Sequence, residues 1–258
     1  MNLIDTHCHL TLNPDNIVEE MMNRARLQGV TKFLCVGAIS ADQGAKDAVR
    51  LAGNYSAIYA SVGIHPHDAD KFCDLEMFES LLSHPKVVAV GETGLDYFRE
   101  WSDFKNQEVL FRNSIRTARA VKKPLIIHTR DATADTLRIL KEENAQDVGG
   151  VVHCYGGSVE TARELADINF IISFTGVLTF KNATSLAKVA ATVPLENIML
   201  ETDCPYMAPV PFRGKDSEPA HVRLIAEKLA ELRDISVEEV AEVTSANARR
   251  LFGILLNG

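Results

Sequence analysis

The sequence predicts a (β/α)8 barrel, also called a TIM barrel, and two observations support this prediction. Eight short apolar, β-branched runs occur between residues 2 and 201, and such runs are typical of parallel strands buried on both faces. Segments of helical period separate several of these runs, and strands that alternate with helices pair in parallel through right-handed crossovers. Eight strands of this kind close into a barrel, for which about 250 residues is a usual length.

The predicted strands comprise residues 2–7, 32–37, 57–63, 87–91, 125–128, 151–153, 170–173 and 198–201. Helix signals occur at 15–28, at 103–121, from Ser158 onward, at 218–232 and at 236–252. Ser158 is a predicted N-cap, and Ser236 with Glu239 forms a capping-box pattern. The Pro- and Gly-rich segment 204–219 is expected to be a long loop after the last strand, and loops of that length are often functional. We therefore expect one domain over residues 1–258.

The formal net charge is −8, which argues against extended nonspecific binding of nucleic acid but is compatible with a small phosphate-binding pocket. The odd number and wide spacing of the cysteines favour reduced thiols in the cytoplasm; they are Cys8, Cys35, Cys73, Cys154 and Cys204. The sequence has no evident signal peptide and no apolar stretch long enough to span a bilayer. We expect a cytoplasmic monomer that does not associate with membranes.

The most informative motif is His7-Cys8-His9 at the end of the first predicted strand. Side chains two residues apart share one face of a strand, so both imidazoles point the same way and can chelate one divalent ion. For this pair alone, metal-binding and structural roles are equally expected. Four further ligand-type residues each follow a predicted strand, namely Glu92, His128, His153 and Asp203. Because the carboxyl ends of barrel strands converge on one mouth, the six residues predict a metal site there.

Six nitrogen and oxygen ligands suggest two ions rather than one, because a catalytic site also needs positions for water and substrate. Glu92 lies between the two histidine pairs in strand order and is the expected bridging carboxylate. A water activated by the ions would be the nucleophile, and Asp203 would hold one ion and accept the proton. Glu92 and Asp203 are thus the candidate catalytic residues, and the expected cofactors are two divalent ions, Mg²⁺, Mn²⁺ or Zn²⁺.

Seven blocks resemble the signatures of the TatD family of metal-dependent hydrolases. In family order they are DTHCHL at 5–10, GIHPH at 63–67, GETGLDY at 91–97, IHTRD at 127–131, VHCY at 152–155, ETDCPY at 201–206 and NARRLF at 247–252. The resemblance implies a TIM barrel, the same six metal ligands and hydrolysis of phosphodiester bonds in DNA, often from the 3′ end. Two departures from the family pattern are Tyr155, where Phe is frequent, and Cys204, where Ser is common.

Some members of this branch are associated with removing D-amino acids from mischarged tRNA. An ester or amide hydrolase, such as a D-aminoacyl-tRNA deacylase, is therefore the alternative to a deoxyribonuclease, since one activated water serves both reactions. A DNA end or an aminoacyl-tRNA would be the nucleic-acid partner. A binding protein that has lost catalysis is disfavoured by the intact ligand set.

His65 is a candidate contact for the phosphate or the leaving group. Arg130 is expected either to bind phosphate in a bidentate manner or to pair with Asp131 or another carboxylate. For His67 a role in structuring its loop is at least as well supported as substrate binding. Several further residues have expectations from position alone: Tyr97, Arg99, Arg213 and Lys215 as rim or ordinary surface residues, Asp96 and Glu201 as supports for ligands, Cys8 and Cys154 as side chains pointing away from the mouth, and Trp101 with no assigned role.

Overall fold

The computed structural model describes residues 1–38, 41–71 and 75–255, so Cys73 lies outside the described residues. Eight parallel strands form one sheet in which each strand pairs with the next along the chain. An isolated parallel bridge joins Cys8 at the end of β1 to Cys204 beyond β8 and brings the two edges of the sheet together. The prediction of a (β/α)8 barrel is confirmed.

The strands are β1 Leu3–Cys8, β2 Val30–Gly37, β3 Ile58–Val62, β4 Val87–Asp96, β5 Leu125–Arg130, β6 Gly150–Val152, β7 Phe170–Phe174 and β8 Ile198–Leu200. Each coincides with a predicted strand within a few residues, except that β4 continues well beyond residue 91, where its apolar run ends. The extension is held by pairing with β5, in which Gly94 lies opposite His128 and Asp96 opposite Arg130. Such pairing is a tertiary contact, so hydrophobic periodicity does not reveal it.

The helices of the described residues are α1 Asp15–Leu27, α2 Ala41–Asn54, α3 Leu75–Leu82, α4 Phe104–Val121, α5 Thr133–Glu142, α6 Val159–Asp167, α7 Thr184–Thr192, α8 Val222–Arg233 and α9 Val237–Phe252. All five predicted helices are present, and the fourth begins as a short 3-10 turn, Pro219–His221, before α8. Ser158 and Ser236 accept hydrogen bonds from backbone amides of the first turns, as their N-cap assignments require.

Two layers of apolar side chains place the mouth at one end of the molecule. Adjacent strand residues point to opposite faces, so Leu3 packs under the helices whereas Ile4 packs inside the barrel. The inner cluster also contains Phe252 and Ile254, which close the barrel at the amino ends of the strands. The carboxyl ends, above this packed interior, carry the polar side chains described below.

Asn247 fastens the last helix to the barrel. Its side chain is buried, and its Nδ2 donates hydrogen bonds to the carbonyl oxygens of Leu195, at 2.9 Å, and Ile198, at 2.8 Å. This double contact gives a physical reason for the asparagine in the NARRLF block.

We expect Asn247→Ala to lower the free energy of unfolding by about 2 kcal/mol, because two buried carbonyl groups lose their donor. Urea unfolding followed by circular dichroism measures this change. The control is Asn23→Ala, which alters an exposed asparagine on α1 and should change stability by less than about 0.5 kcal/mol. An Asn247→Ala protein as stable as the control would contradict the anchoring role.

Candidate metal centre

The imidazoles of His7 and His9 converge as the alternation of β1 predicts. Their Nε2 atoms lie 3.3 Å apart, and both side chains are buried. Asp203 Oδ1 lies 3.3 Å from Nε2 of His9 and 3.6 Å from Nε2 of His7. Two nitrogens and one carboxylate oxygen therefore face a common point at the junction of β1 and β8.

Backbone contacts bring Asp203 to this point although β8 ends at Leu200. The amide of Asp203 donates to the His7 carbonyl at 2.8 Å, and the His9 amide donates to the Cys204 carbonyl at 2.9 Å. Asp203 has a φ of 55°, a left-handed conformation that non-glycine residues adopt mainly where the surrounding structure holds them. The closure of the barrel therefore positions the sixth candidate ligand.

Asp5, in β1 beneath the ligands, stabilises the junction between β1 and the segment after β8. Its carboxylate accepts the Thr202 amide at 2.9 Å and the Thr202 hydroxyl at 2.6 Å. Burial raises the pKa of Asp5 to about 8, although the hydrogen bonds from Thr202 and from the His7 amide act in the opposite direction. The first residue of the DTHCHL block is thus a structural residue beneath the ligands.

Glu92 lies between the two histidine pairs. Its Oε1 is 2.7 Å from Nε2 of His153 and 3.0 Å from Nδ1 of His128. Its Oε2 is 3.4 Å from Nε2 of His7. One carboxylate therefore reaches both halves of the cluster, which is the geometry expected of a shared ligand.

Two glycines let β4 approach β5 closely enough for these contacts. Gly91 and Gly94 have φ values of 144° and 139°, which residues with a side chain rarely adopt. A Cβ on Gly94 would lie 2.0 Å from the carbonyl oxygen of His128, and one on Gly91 would lie 2.6 Å from that of Ile126. The GETG sequence around Glu92 is therefore dictated by backbone packing as well as by chemistry.

The structure brings all six predicted ligands together, as overlapping groups whose potential ligand atoms lie within 4.8 Å of one another. The groups are His7, His9 and Glu92; His7, His153 and Asp203; and Glu92, His128 and His153. The first two surround the end of β1, and the third lies between β4 and β6. Glu92 belongs to groups on both sides.

The charges of this cluster fit divalent cations. Glu92 and Asp203 are only 2% and 7% exposed, and in the described part of the chain their ion-pair partners are histidines rather than lysine or arginine. Burial opposes ionisation of Glu92, but the imidazoles of His153, His65 and His7 outweigh it and hold its pKa well below the usual range. Buried carboxylates with only imidazole neighbours form a donor set typical of zinc, manganese or other divalent ions.

Asp96 and Glu201 fix the orientation of two ligands. Asp96 Oδ2 is 3.0 Å from Nε2 of His128 and 2.8 Å from Nε2 of His67. Glu201 Oε1 is 3.3 Å from Nδ1 of His153, and the same carboxylate accepts the Cys154 amide and the Ser173 hydroxyl. Both carboxylates therefore make the contacts expected of ligand supports, and His67 is held within the same network.

The structure places the two candidate substrate contacts at the same mouth. Nε2 of His65 lies 3.5 Å from Oε1 of Glu92, directly beside the ligand cluster. The Arg130 guanidinium lies over the Phe98 ring, 3.8 Å from its centroid. Within the described residues Arg130 forms no ion pair with Asp131 or another carboxylate, so its charge is available at the mouth.

A cavity of about 360 Å³ adjoins the ligand cluster, and it corrects the expectation for one cysteine. Its lining includes His128, Arg130, His153, Cys154 and Asp203. Strand alternation predicts that Cys154 points away from the mouth, but β6 ends at Val152 and Cys154 has a φ of 44°. The strand pattern therefore does not extend to this residue. The Cys8 side chain, within β1, points away from the mouth as predicted, and its thiol donates to the Leu34 carbonyl.

Comparisons with known proteins agree with this site. A family model described as TatD related DNase matches residues 4–253. This chain belongs to the TatD family. An uncharacterized metal-dependent hydrolase, YabD of Bacillus subtilis, is 44% identical over 98% of this chain and 99% of its own length. A Klebsiella pneumoniae protein named 3'-5' ssDNA/RNA exonuclease TatD is 33% identical over 93% of each chain.

The crystal structure of YjjV, a TatD homologue from Escherichia coli, superposes with a TM-score of 0.92 at 31% identity, covering 98% of each chain. The family is one of metal-dependent hydrolases, and the predicted membership is confirmed. In the part of the chain that the structure describes, every helix is too short or too polar to span a bilayer.

We expect Glu201→Gln to weaken divalent-metal binding by about 10- to 100-fold, because the uncharged amide no longer supports the His153 imidazole. Calorimetric titration of the metal-depleted protein with Mn²⁺ or Zn²⁺ measures the affinity independently of any activity. Glu196→Gln, which removes a charge from an exposed glutamate, is the matched control and should bind metal as the unmodified protein does. Equal affinities for the two variants would exclude the supporting role of Glu201.

Proposed function

We propose that this member of the TatD family is a 3′–5′ exodeoxyribonuclease in which residues 1–258 act as one domain around two divalent ions, Mg²⁺, Mn²⁺ or Zn²⁺. The observation that carries the proposal is the position of Glu92, whose two carboxylate oxygens lie 2.7 Å and 3.4 Å from imidazoles on opposite sides of the cluster. The name of the Klebsiella pneumoniae relative supports nucleic acid as the substrate.

In this proposal His7, His9 and Asp203 would hold one ion, His128 and His153 would hold the other, and Glu92 would be a ligand of both. Bound divalent ions would lower the pKa of water and neutralise charge on the scissile phosphodiester. The protein residues determine where the substrate lies and where the proton goes.

Asp203 is the proposed proton acceptor. Burial opposes its ionisation, but the His9 hydrogen bond and the adjacent imidazoles lower its pKa below the usual value, so it is an anion at neutral pH. The same carboxylate lines the cavity into which the substrate would reach, so an attacking water between Asp203 and the phosphorus could transfer its proton there. His65 and Arg130, on the other side of the mouth, would contact the phosphate oxygens through N–H donors.

Glu92→Ala is expected to abolish hydrolysis and reduce the number of bound ions below two, because each half of the cluster loses its shared ligand. The fold should survive, since barrel stability resides mainly in the packed interior and the opposite face. The hydrolysis assay measures the activity, elemental analysis counts the bound ions, and circular dichroism tests whether the fold survives. Glu160→Ala, an exposed control on α6, should retain both ions and full activity, and near-normal turnover by metal-loaded Glu92→Ala would contradict the bridging role.

We expect the protein to shorten single-stranded DNA stepwise from its 3′ end. A 5′-labelled oligonucleotide should give a descending ladder with Mg²⁺ or Mn²⁺ and none with EDTA. A D-aminoacyl-tRNA is incubated in parallel, since the same centre suits ester hydrolysis. Deacylation of the tRNA with the DNA left intact would overturn the nuclease proposal and support the alternative, a D-aminoacyl-tRNA deacylase.

A further inference from the structure

Exposed aromatic side chains are concentrated around the mouth of the barrel. Among the residues that the structure describes, those more than a third exposed are Phe98, Trp101, Phe104, Tyr206 and Phe212. All five follow either β4 or β8 along the chain. Four of them lie at the end of the barrel that carries the metal centre, whereas Phe212 stacks on His221 and lines a separate pocket with Leu27. Exposed apolar side chains are common when scattered, but a group at one opening marks a binding surface.

The last residue of β5 and three residues that follow β4 form a continuous row, which we call the cation–aromatic row: Arg130, Phe98, Arg99 and Trp101. The Arg130 guanidinium lies 3.8 Å from the centroid of the Phe98 ring. The Arg99 guanidinium lies 5.3 Å from the Phe98 ring and 5.2 Å from the Trp101 ring. Guanidinium groups and aromatic rings thus alternate along the rim, each holding the next in place.

The row ends at the metal centre. The Trp101 ring packs edge-on against His67, with their centroids 4.5 Å apart. His67 Nε2 contacts Asp96 Oδ2 at 2.8 Å, and the same oxygen lies 3.0 Å from Nε2 of the candidate ligand His128. A chain lying along the row would therefore lead directly to the ligands.

The arginines of the row differ from those on the outer helices. On α4, Arg112, Arg116 and Arg119 each pair with carboxylates of neighbouring segments. Arg99 and Arg130 make no ion pair within the described part of the chain, and they lie over aromatic rings instead. In a protein whose formal charge is −8, this leaves uncompensated positive charge beside the mouth, as an anionic ligand requires.

We propose that the cation–aromatic row is a stacking platform for the unpaired bases of a single-stranded nucleic acid, whose 3′ end lies at the metal centre. This inference rests on the proposed function because it places the strand in the same mouth. Aromatic rings and guanidinium planes stack on any base, and the guanidinium groups also attract the phosphates. The platform requires unstacked bases, so paired duplex ends are excluded from it.

The chain contains a single tryptophan, Trp101, whose fluorescence therefore reports on the platform alone. The metal-loaded protein is titrated with a short phosphorothioate oligodeoxynucleotide, which resists hydrolysis, and with an abasic oligonucleotide of the same length and linkages. We expect saturable quenching by the first and binding about 10-fold weaker for the second. Equal affinity without quenching would overturn the proposal.

Paired substitutions separate stacking from general apolar contact. Phe98→Leu should weaken oligonucleotide binding several-fold, whereas Phe98→Tyr, which keeps the ring, should bind as the unmodified protein does. Trp101→Leu should weaken binding of a labelled oligonucleotide several-fold, as measured by fluorescence anisotropy. In the hydrolysis assay it should raise KM while leaving kcat within about twofold, because the lost contact stabilises the bound substrate and the transition state equally. Leu27→Ala, which removes an exposed side chain at the opposite end of the barrel, should change neither value.

The outcomes distinguish this inference from the proposed function. Stepwise DNA hydrolysis with equal rates on base-containing and abasic strands would keep the nuclease and eliminate the platform. Quenching that depends on bases and on Phe98, without any DNA hydrolysis, would keep the platform and eliminate the nuclease.

Discussion

The buried carboxylate of Glu92 organises the polar half of this molecule. It lies among imidazoles from β1, from β5 and from the segments that follow β3 and β6, and it has no lysine or arginine partner in the described part of the chain. A buried carboxylate is tolerated only when its charge is compensated, and here the compensation comes from groups that also bind metals. The Asp96 and Glu201 carboxylates then hold the histidines, so the ligands are positioned before any ion arrives.

The barrel separates this polar cluster from the groups that stabilise the fold. The lower interior is filled by alternating apolar side chains and closed by α9. The upper end carries ligands on backbone that deviates from regular strands, including the left-handed residues Cys154 and Asp203. Such conformations cost of order 1–3 kcal/mol each and persist only where the surrounding structure enforces them. The closure between β1 and β8 enforces one of them through the Asp203 and His9 backbone hydrogen bonds.

Arginine serves two different purposes in the two parts of the surface. On the outer helices it pairs with glutamate and aspartate, as in the contacts of Arg112 with Glu142 and Glu143. At the mouth it lies over aromatic rings, which cover one face of the guanidinium, and the side chain remains exposed and without an ion-pair partner among the described residues. The acidic net charge of the whole chain therefore does not describe the region where a phosphate would bind.

The sequence alone determined the fold class and the six candidate ligands. Each of these residues follows an apolar run, and a parallel barrel converts strand order into convergence at one mouth, so no long-range contact had to be known. The structure adds the distances between these six side chains and leaves the set of candidate ligands unchanged.

Tertiary structure decided the features that depend on pairing between distant segments. Glu92 lies inside β4 rather than at its end because pairing with β5 extends the strand. Asp203 reaches His9 because the segment after β8 joins β1, and Cys154 turns into the cavity because its strand has already ended. The sequence predicts no role for Trp101 because its contacts are not local in pattern. His67 lies after β3, and Arg99 lies in the connection after β4, which has neither helical nor strand period. Sequence patterns report the local period of a segment, whereas these positions depend on which segments meet.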